Sequence, residues 1–325
     1  MDIMWYEVFA EEREAIRRHV PPHIRSEFTD QTIQAAGHTN PPATLISVRT
    51  QSVIPPSWAA RLHGVLTRSA GFDHLLRFAR EAARPIPAGY LPDYCARAVA
   101  EQALLMLLAL WRRLGRQTRQ FRTFHRDQLT GVECAGKTVL VVGVGHIGRE
   151  VATIARGIGM RVLGVDLVRR VSELDYVGLD DGIRAADAIV CALPLTPHTR
   201  GLLDESRLRQ ARRGALLVNV SRGEVSPARD LLRLLQDGVL GGIGLDVFED
   251  EAALAGYLRG ESSTIPASSR PMLSLMDDER VLCTPHNAFN TCEALERKAT
   301  QSADAATQFL ATGTFPNPVP LELSS

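Results

Sequence analysis

Residues 137–166 constrain this chain more than any other stretch. Thr138-Val139-Leu140-Val141-Val142 is an unbroken apolar run, the pattern of a strand buried on both faces. It leads into Gly143-Val144-Gly145-His146-Ile147-Gly148, then into a segment where Ile147, Val151, Ile154, Ala155 and Ile158 share one helical face. A second apolar run follows, Val162-Leu163-Gly164-Val165, and ends on Asp166. Strand, glycine turn, helix and strand make a βαβ unit. A bare G-x-G-x-x-G is weak, because many strand-to-helix turns are rich in glycine. Here the strand before it, the one-faced helix after it and an acid 18 residues beyond Gly148 point to a dinucleotide site. Gly143 permits the turn, Gly145 lets backbone approach a pyrophosphate, and Gly148 lets helix and sheet pack closely. The free N–H groups of the helix start, at His146 and Ile147, then face phosphate. Asp166 can accept hydrogen bonds from a ribose 2′-OH and repels a 2′-phosphate, which favours NAD over NADP. Arg169 and Arg170 act in the opposite sense, or are solvated loop charges.

With 325 residues, 45% of them hydrophobic, the chain is long enough for two domains with substantial cores. Lys plus Arg and Asp plus Glu both number 37, so charge gives no case for nucleic acid or an anionic membrane as partner. A small anionic substrate is still permitted, since a few local arginines suffice. Cys95, Cys134, Cys191, Cys283 and Cys292 are scattered, with no C-x-x-C pair and no metal-ligand spacing, so no metal is expected and a reducing, cytoplasmic compartment is. The first residues show neither a basic start nor an apolar signal core. The most apolar run, 103–111, is far shorter than the ~20 residues a bilayer needs and reads as a buried helix.

Ahead of the βαβ unit, strands are expected at 3–9, 26–29, 45–49 and 65–69, with helices at 11–20 and after Pro55-Pro56. Residues 83–92, rich in Pro and Gly, read as a linker, and 96–114 as a long helix. After Lys137, six strand-like runs alternate with helical ones: 139–142, 161–165, 188–193, 215–220, 242–247 and 281–284. Continuous Val, Ile and Leu runs of this kind predict a parallel, doubly wound α/β sheet. Helix 292–310 is expected to return to the N-terminal unit, and 315–325 to be irregular. The expected division is a discontinuous substrate domain, 1–100 with 292–325, and a Rossmann domain over 101–291.

Three further motifs sit at expected strand ends: Asn219-Val220-Ser221-Arg222-Gly223, Leu245-Asp246-Val247-Phe248-Glu249-Asp250-Glu251, and Thr284-Pro285-His286-Asn287. Ligands of open parallel sheets bind outside the carboxyl ends of the strands, so Arg222, Glu251 and His286 can converge although distant in sequence. Singly, each is an ordinary loop residue.

With these motifs the chain resembles the D-2-hydroxyacid dehydrogenase family over nearly its whole length. Ser69-Ala70-Gly71-Phe72-Asp73-His74 is similar to that family's substrate loop, Ala98-Val99-Ala100-Glu101 to its domain-linking helix, and Leu193-Pro194-Leu195-Thr196 to its cofactor-contact strand end. The resemblance implies two domains, a doubly wound Rossmann cofactor domain and a smaller flavodoxin-like α/β domain, with the reaction in the cleft between them. It implies NAD as cofactor and a small 2-keto or 2-hydroxy acid as substrate, with Arg222 binding carboxylate and carbonyl, His286 as acid/base and Glu251 paired with it. Ala70 and Gly71 would offer backbone N–H groups to the same anion. Leu193, Pro194, Thr199, Val220, Ser221 and Asp246 would lie along the cofactor, Asp246 being otherwise a loop cap. Glu249 and Asp250 rival Glu251 on charge alone; family register favours Glu251.

Tyr94 with its following residues, the insertion at 252–279 and the run 286–295 resemble the D-lactate dehydrogenase branch. That places Tyr94 at the substrate pocket; ordinary packing is the other reading. Asn287, Asn290 and Cys95-Ala96 depart from the branch. Arg49, if it faces the substrate, would suit a second carboxylate or phosphonate; otherwise it is a surface charge. A homodimer built on helix 98–114 is expected. The rival expectations are a non-catalytic NAD-sensing, corepressor-like module and a dehydrogenase of another small anion such as phosphite. Histidine chemistry favours an enzyme, because its ordinary pKa lets it give and take a proton near neutrality beside a carboxylate.

Overall fold

A computed structural model describes residues 1–320; residues 321–325, the end of the tail expected to be irregular, lie outside the described residues. The chain divides into two compact units, one of Met1–Cys95 with the chain from Asn290 onward, the other of Ala96–Phe289.

In the smaller unit β1 (Ile3–Trp5), β2 (Ser26–Phe28), β3 (Leu45–Val48), β4 (Gly64–Thr67) and β5 (Ala88–Gly89) form one sheet, ordered β2-β1-β3-β4-β5, with every pairing parallel. This is the flavodoxin-like order. Ile3, Trp5, Leu45, Ile46, Val48, Val65 and Leu66 are all buried, as strands covered by helices on both faces must be. The strands are shorter than their apolar runs suggest. β1 ends before Glu7, whose φ of 56° is incompatible with a continuing strand. The stretch expected as a linker instead contains β5, and the chain end fastens that edge: Tyr90 N–H donates to the Asn317 carbonyl and Val319 N–H to that of Ala88. The helix after Pro55 is a 3-10 helix, Pro56–Ala60. Helix Cys292–Thr312 packs on helix Ala10–His19. The Thr291 hydroxyl caps its start by accepting from Ala294 N–H, and Gly313, with φ of 73°, ends it.

The larger unit holds β6 (Thr138–Val142), β7 (Arg161–Val165), β8 (Asp175–Tyr176), β9 (Ala188–Cys191), β10 (Ala215–Asn219), β11 (Leu240–Leu245) and β12 (Val281–Cys283). Their order, β12-β11-β10-β9-β6-β7-β8, is parallel throughout. Counted from β6, this is the 3-2-1-4-5-6 order of dinucleotide-binding folds with one strand added at the edge. The seventh strand beyond the six expected is β8, two residues with no apolar run to announce it. Helix Ala96–Trp111 packs on helix His146–Gly157 and on β10 and β11. It stops at Trp111 because Arg113 takes a left-handed φ of 51°, and a short helix, Leu114–Gln120, follows. Among the described residues no helix is long and apolar enough to cross a membrane. Strand order reverses between β6 and β9, so the ligand crevice of this fold opens at their carboxyl ends.

Candidate active site

The glycine loop follows β6 at that switch point. Gly143 has φ of +93° and donates its N–H to the Val165 carbonyl at 2.8 Å; a Cβ there would lie 2.6 Å from the Ala192 carbonyl oxygen. A Cβ on Gly148 would sit 1.9 Å from the Gly143 carbonyl oxygen, so the helix start and the turn touch backbone to backbone. At Gly145 a Cβ would meet nothing within 4 Å. The loop is therefore tight where it turns and open at Gly145, a shape that would fit a pyrophosphate. His146 and Ile147 begin the helix at that opening. The Asp166 carboxylate accepts from Val144 N–H at 2.7 Å through Oδ2 and from Val168 N–H at 2.9 Å through Oδ1. Each oxygen keeps a further acceptor site, as a ribose hydroxyl requires. Arg169, one of the two arginines weighed against NAD, lies over the Tyr176 ring of β8 at 5.7 Å. These residues fit a dinucleotide.

After β9, Thr199 shapes the turn carrying Leu193 and Pro194: its hydroxyl donates to the Pro194 carbonyl at 2.6 Å and accepts from Thr196 N–H at 2.8 Å. At the end of β10 the fully buried Asn219 organises the next loop, a task sequence reasoning did not assign to it. Its amide donates to the Arg222 carbonyl and to Ser226 Oγ, both at 2.9 Å, and its carbonyl accepts from Ser221 N–H at 2.9 Å. The available signal was a polar side chain closing an apolar strand. Val220 and Ser221 are buried, whereas Arg222 is half-buried with Nη1 donating to the Ser221 carbonyl at 2.8 Å. A Cβ on Gly223 would lie 2.1 Å from the Phe248 carbonyl carbon, so the loops after β10 and β11 are pressed together.

The three acids after β11 have three different partners. Glu249 accepts from Ala228 N–H at 2.8 Å, at the start of helix Ala228–Gln236, and burial raises its carboxyl above the ordinary value. Asp250 accepts from the Ser268 hydroxyl. Glu251 Oε1 meets His286 Nδ1 at 2.7 Å. Both Asp250 and His286 hold positive φ, 48° and 49°, costly for non-glycine residues and found where surrounding structure dictates the backbone. Asp246 dictates it for His286. Only 2% exposed, it accepts from Thr284 Oγ1 at 2.5 Å and from the N–H groups of Asn287 and Ala288 at 2.9 and 3.0 Å. Burial raises the Asp246 carboxyl, opposed by those hydrogen bonds and the nearby His286. Asp246 thus caps the loop on which His286 stands.

In the smaller unit, Ala70 and Gly71 follow β4 in a loop tied down by Ser69, whose hydroxyl lies 2.7 Å from Thr67 Oγ1 and donates to the Gly71 carbonyl at 2.6 Å. Tyr94 is buried, and burial holds its hydroxyl well above the ordinary value; the Lys298 ammonium lies 5.9 Å from its ring centroid. Beside it is a buried ion cluster that sequence reasoning missed. Arg68 Nε and Lys298 Nζ both meet Glu12 Oε1, at 2.9 and 2.7 Å, and Arg68 also donates to Ser47 Oγ and the Tyr6 carbonyl. Burial by itself would raise Glu12, but the charges of Arg68, Lys298 and Arg49 prevail and hold it at about 2. Because this lies below its ordinary 4.5, Glu12 contributes stability above pH 4.5 that is lost as pH falls toward 2. Glu12→Gln is expected to cost about 3–5 kcal/mol in urea unfolding at pH 7, by removing the carboxylate that two buried cations share. The variant should also lack that component of acid loss; equal loss in both proteins would contradict the assignment.

Residues 104–288 match the model of the D-isomer specific 2-hydroxyacid dehydrogenase NAD-binding domain. Among curated proteins, the glyoxylate reductase of Thermococcus kodakarensis is 33% identical over 259 residues, 75% of this chain and 74% of that one. The D-lactate dehydrogenase of Escherichia coli is 32% identical over 278 residues, 82% of each chain. Among solved structures, D-lactate dehydrogenase from Aquifex aeolicus, in complex with NAD and lactic acid, superposes with a TM-score of 0.84 at 27% identity, covering 97% of this chain and 99% of that one. Its NAD-binding domain, its two parallel sheets and these relatives together make this chain an oxidoreductase of the D-isomer specific 2-hydroxyacid dehydrogenase family.

Proposed function

We propose that this chain interconverts a small D-2-hydroxy acid and its 2-keto acid, with His286 as the acid/base. The observation that carries the reading is the 2.7 Å hydrogen bond between Glu251 and His286, made by one of three neighbouring acids while the other two serve elsewhere. A carboxylate on Nδ1 keeps the proton there in the neutral ring and stabilises the imidazolium when Nε2 is also protonated. Nε2 is then the nitrogen that gives a proton to the carbonyl oxygen in reduction and removes it from the hydroxyl in oxidation. NAD, when bound, supplies or accepts the hydride at the substrate carbon. Arg222 holds the substrate carboxylate in a bidentate fork and so selects which carbonyl face reacts. Ala70 and Gly71 offer further N–H donors to the anion, and Tyr94 lines the pocket. Gly143, Gly145, Gly148, His146 and Ile147 hold the pyrophosphate, Asp166 the ribose. Leu193, Pro194, Thr199, Val220 and Ser221 flank the nicotinamide half. Asp246 serves the reaction through the loop it caps.

A proton donor with its own carboxylate favours an enzyme over an NAD-sensing module, which needs neither. Exposed apolar side chains at Leu105, Leu114, Phe121 and Phe124 support assembly as a homodimer. Following NADH absorbance over a panel of 2-keto acids tests the function: turnover of at least one is expected, and none across the panel contradicts it. Asp166→Ala tests the cofactor choice. The preference for NADH over NADPH, measured as a ratio of kcat/KM, should fall about tenfold or more, the worth of a hydrogen bond to a charged group. An unchanged ratio would mean Asp166 does not hold the ribose.

A further inference from the structure

We propose that Ser268 and Ser269 are positioning residues for the acid/base, fixing the turn from which Glu251 meets His286. This rests on the reading of His286 as the proton donor and deepens it. Both serines lie in the larger unit, beyond the helix that Glu251 begins. Glu251 is the first residue of helix Glu251–Leu258, so its placement follows from the two residues before it. Asp250 turns the chain into that helix with φ of 48°, and its carbonyl accepts from the N–H groups of Ala253 and Leu254 at 2.9 and 3.0 Å. A non-glycine residue stays in this left-handed region only where neighbouring groups hold it there. Ser269 is fully buried and its hydroxyl donates to the Glu249 carbonyl at 3.1 Å, while the Ser268 hydroxyl donates to the Asp250 carboxylate. Glu249 is fastened a second time, its carboxylate accepting from Ala228 N–H at 2.8 Å.

The helix is anchored on its buried side as well. Leu254 belongs to the same core as Met272 and Leu275 of helix Arg270–Met276, which begins directly after the serines, and Ile265 packs against that core. Ser269 N–H donates to the Pro266 carbonyl at 3.0 Å, so the chain reaches the serines in a closed turn. Residues 252–268 are therefore not a free excursion from the fold. They leave from Glu251 and return to hold the two residues that precede it. The contact they protect is sensitive to position: the 2.7 Å bond from Glu251 to His286 would be lost if the carboxylate moved by about 1 Å, and a displacement of that size at a reacting group costs about 10² in rate.

The test follows the His286 imidazole by its proton resonance in the intact protein, assigned from its loss in His286→Ala, together with the pH profile of kcat for 2-keto acid reduction. A carboxylate against Nδ1 favours the imidazolium, so displacing Glu251 lets the ring lose its proton at lower pH. In Ser269→Ala the imidazole midpoint and the alkaline limb of the profile should both move down by about one unit, the lower end of what an adjacent opposite charge supplies, and kcat should fall about tenfold. Ser268 is exposed, so Ser268→Ala puts no core packing at risk; it should move both quantities in the same direction by about half a unit. Asp250→Asn withdraws a charge but keeps an oxygen for the Ser268 hydroxyl and tolerates left-handed φ, so it should match the wild type. Asp246, whose carboxylate also interacts with His286, is untouched in each variant. An unmoved midpoint in either serine variant, even with a lowered melting temperature, would mean that the serines only seat the segment and would overturn the inference. So would a shift in Asp250→Asn as large as that in Ser269→Ala, since charge and not position would then be at work. Both results leave the reductase reading intact. Absence of turnover with every 2-keto acid would overturn that reading, and the catalytic role of the serines with it.

Discussion

Replacing His286 with alanine is expected to lower kcat for 2-keto acid reduction by about 10²–10⁴-fold, the usual worth of a positioned general acid. NADH binding should change little, because the groups that fit the pyrophosphate and ribose belong to the loop after β6 and to Asp166, not to the loop after β12. The loop itself should persist. Asp246 holds it through Thr284 and through backbone N–H groups of Asn287 and Ala288, none of which depends on the imidazole. Single-turnover absorbance of bound NADH separates the two quantities. Turnover near the wild-type rate in the variant would remove His286 from the mechanism. Glu251→Gln offers the companion comparison within the same experiment, since it keeps a hydrogen-bonding group near Nδ1 but withdraws the carboxylate charge proposed to stabilise an imidazolium.

The second large effect is expected at Arg222. Arg222→Met should reduce kcat/KM by about 10²–10³-fold, consistent with the 2–5 kcal/mol lost when one partner of a desolvated charge pair is truncated. If Arg222 holds the carboxylate as proposed, much of the loss should fall on KM, because such a fork acts before and during the reaction, with a smaller part on kcat from lost orientation. The fold should tolerate the change. The loop is secured by Asn219 and by the contact of Gly223 with Phe248 and Glu249, whereas the Arg222 guanidinium is only half-buried. Arg222→Lys, which keeps charge but loses the planar fork, should recover only part of the activity. A kcat/KM within threefold of wild type in Arg222→Met would place the substrate carboxylate elsewhere.

What could be read from the chain and what could not follow from how far each residue's role depends on tertiary neighbours. β6, β7, β9, β10 and β11 are Val/Leu/Ile-rich runs because helices cover both faces of their sheet, so their composition announces them. β5 and β8 are two-residue edge strands, Ala88–Gly89 and Asp175–Tyr176, whose pairing depends on neighbours and not on an apolar run of their own. Arg222, Glu251 and His286 stand out as charged residues at the carboxyl ends of such runs. The groups that position them, Asn219, Gly223 and Asp246, do so through partners 2 to 42 residues away, and no local pattern expresses that. The division of labour among Glu249, Asp250 and Glu251 is likewise a matter of which partner each carboxylate reaches. Glu12, Arg68 and Lys298 were hidden by the sound rule that charged side chains face water. A signal was nonetheless present: Glu12 shares its helical face with Ala15 and Ile16, and Lys298 with Ala294 and Ser302, all of them buried.

The account is tested most directly by the identity of the product. Wild-type protein incubated with excess 2-keto acid and a measured amount of NADH should consume the NADH and yield an equal amount of 2-hydroxy acid, resolved on a chiral column as the D enantiomer. Consumption of NADH with formation of the L enantiomer, or no consumption with any 2-keto acid, would contradict it.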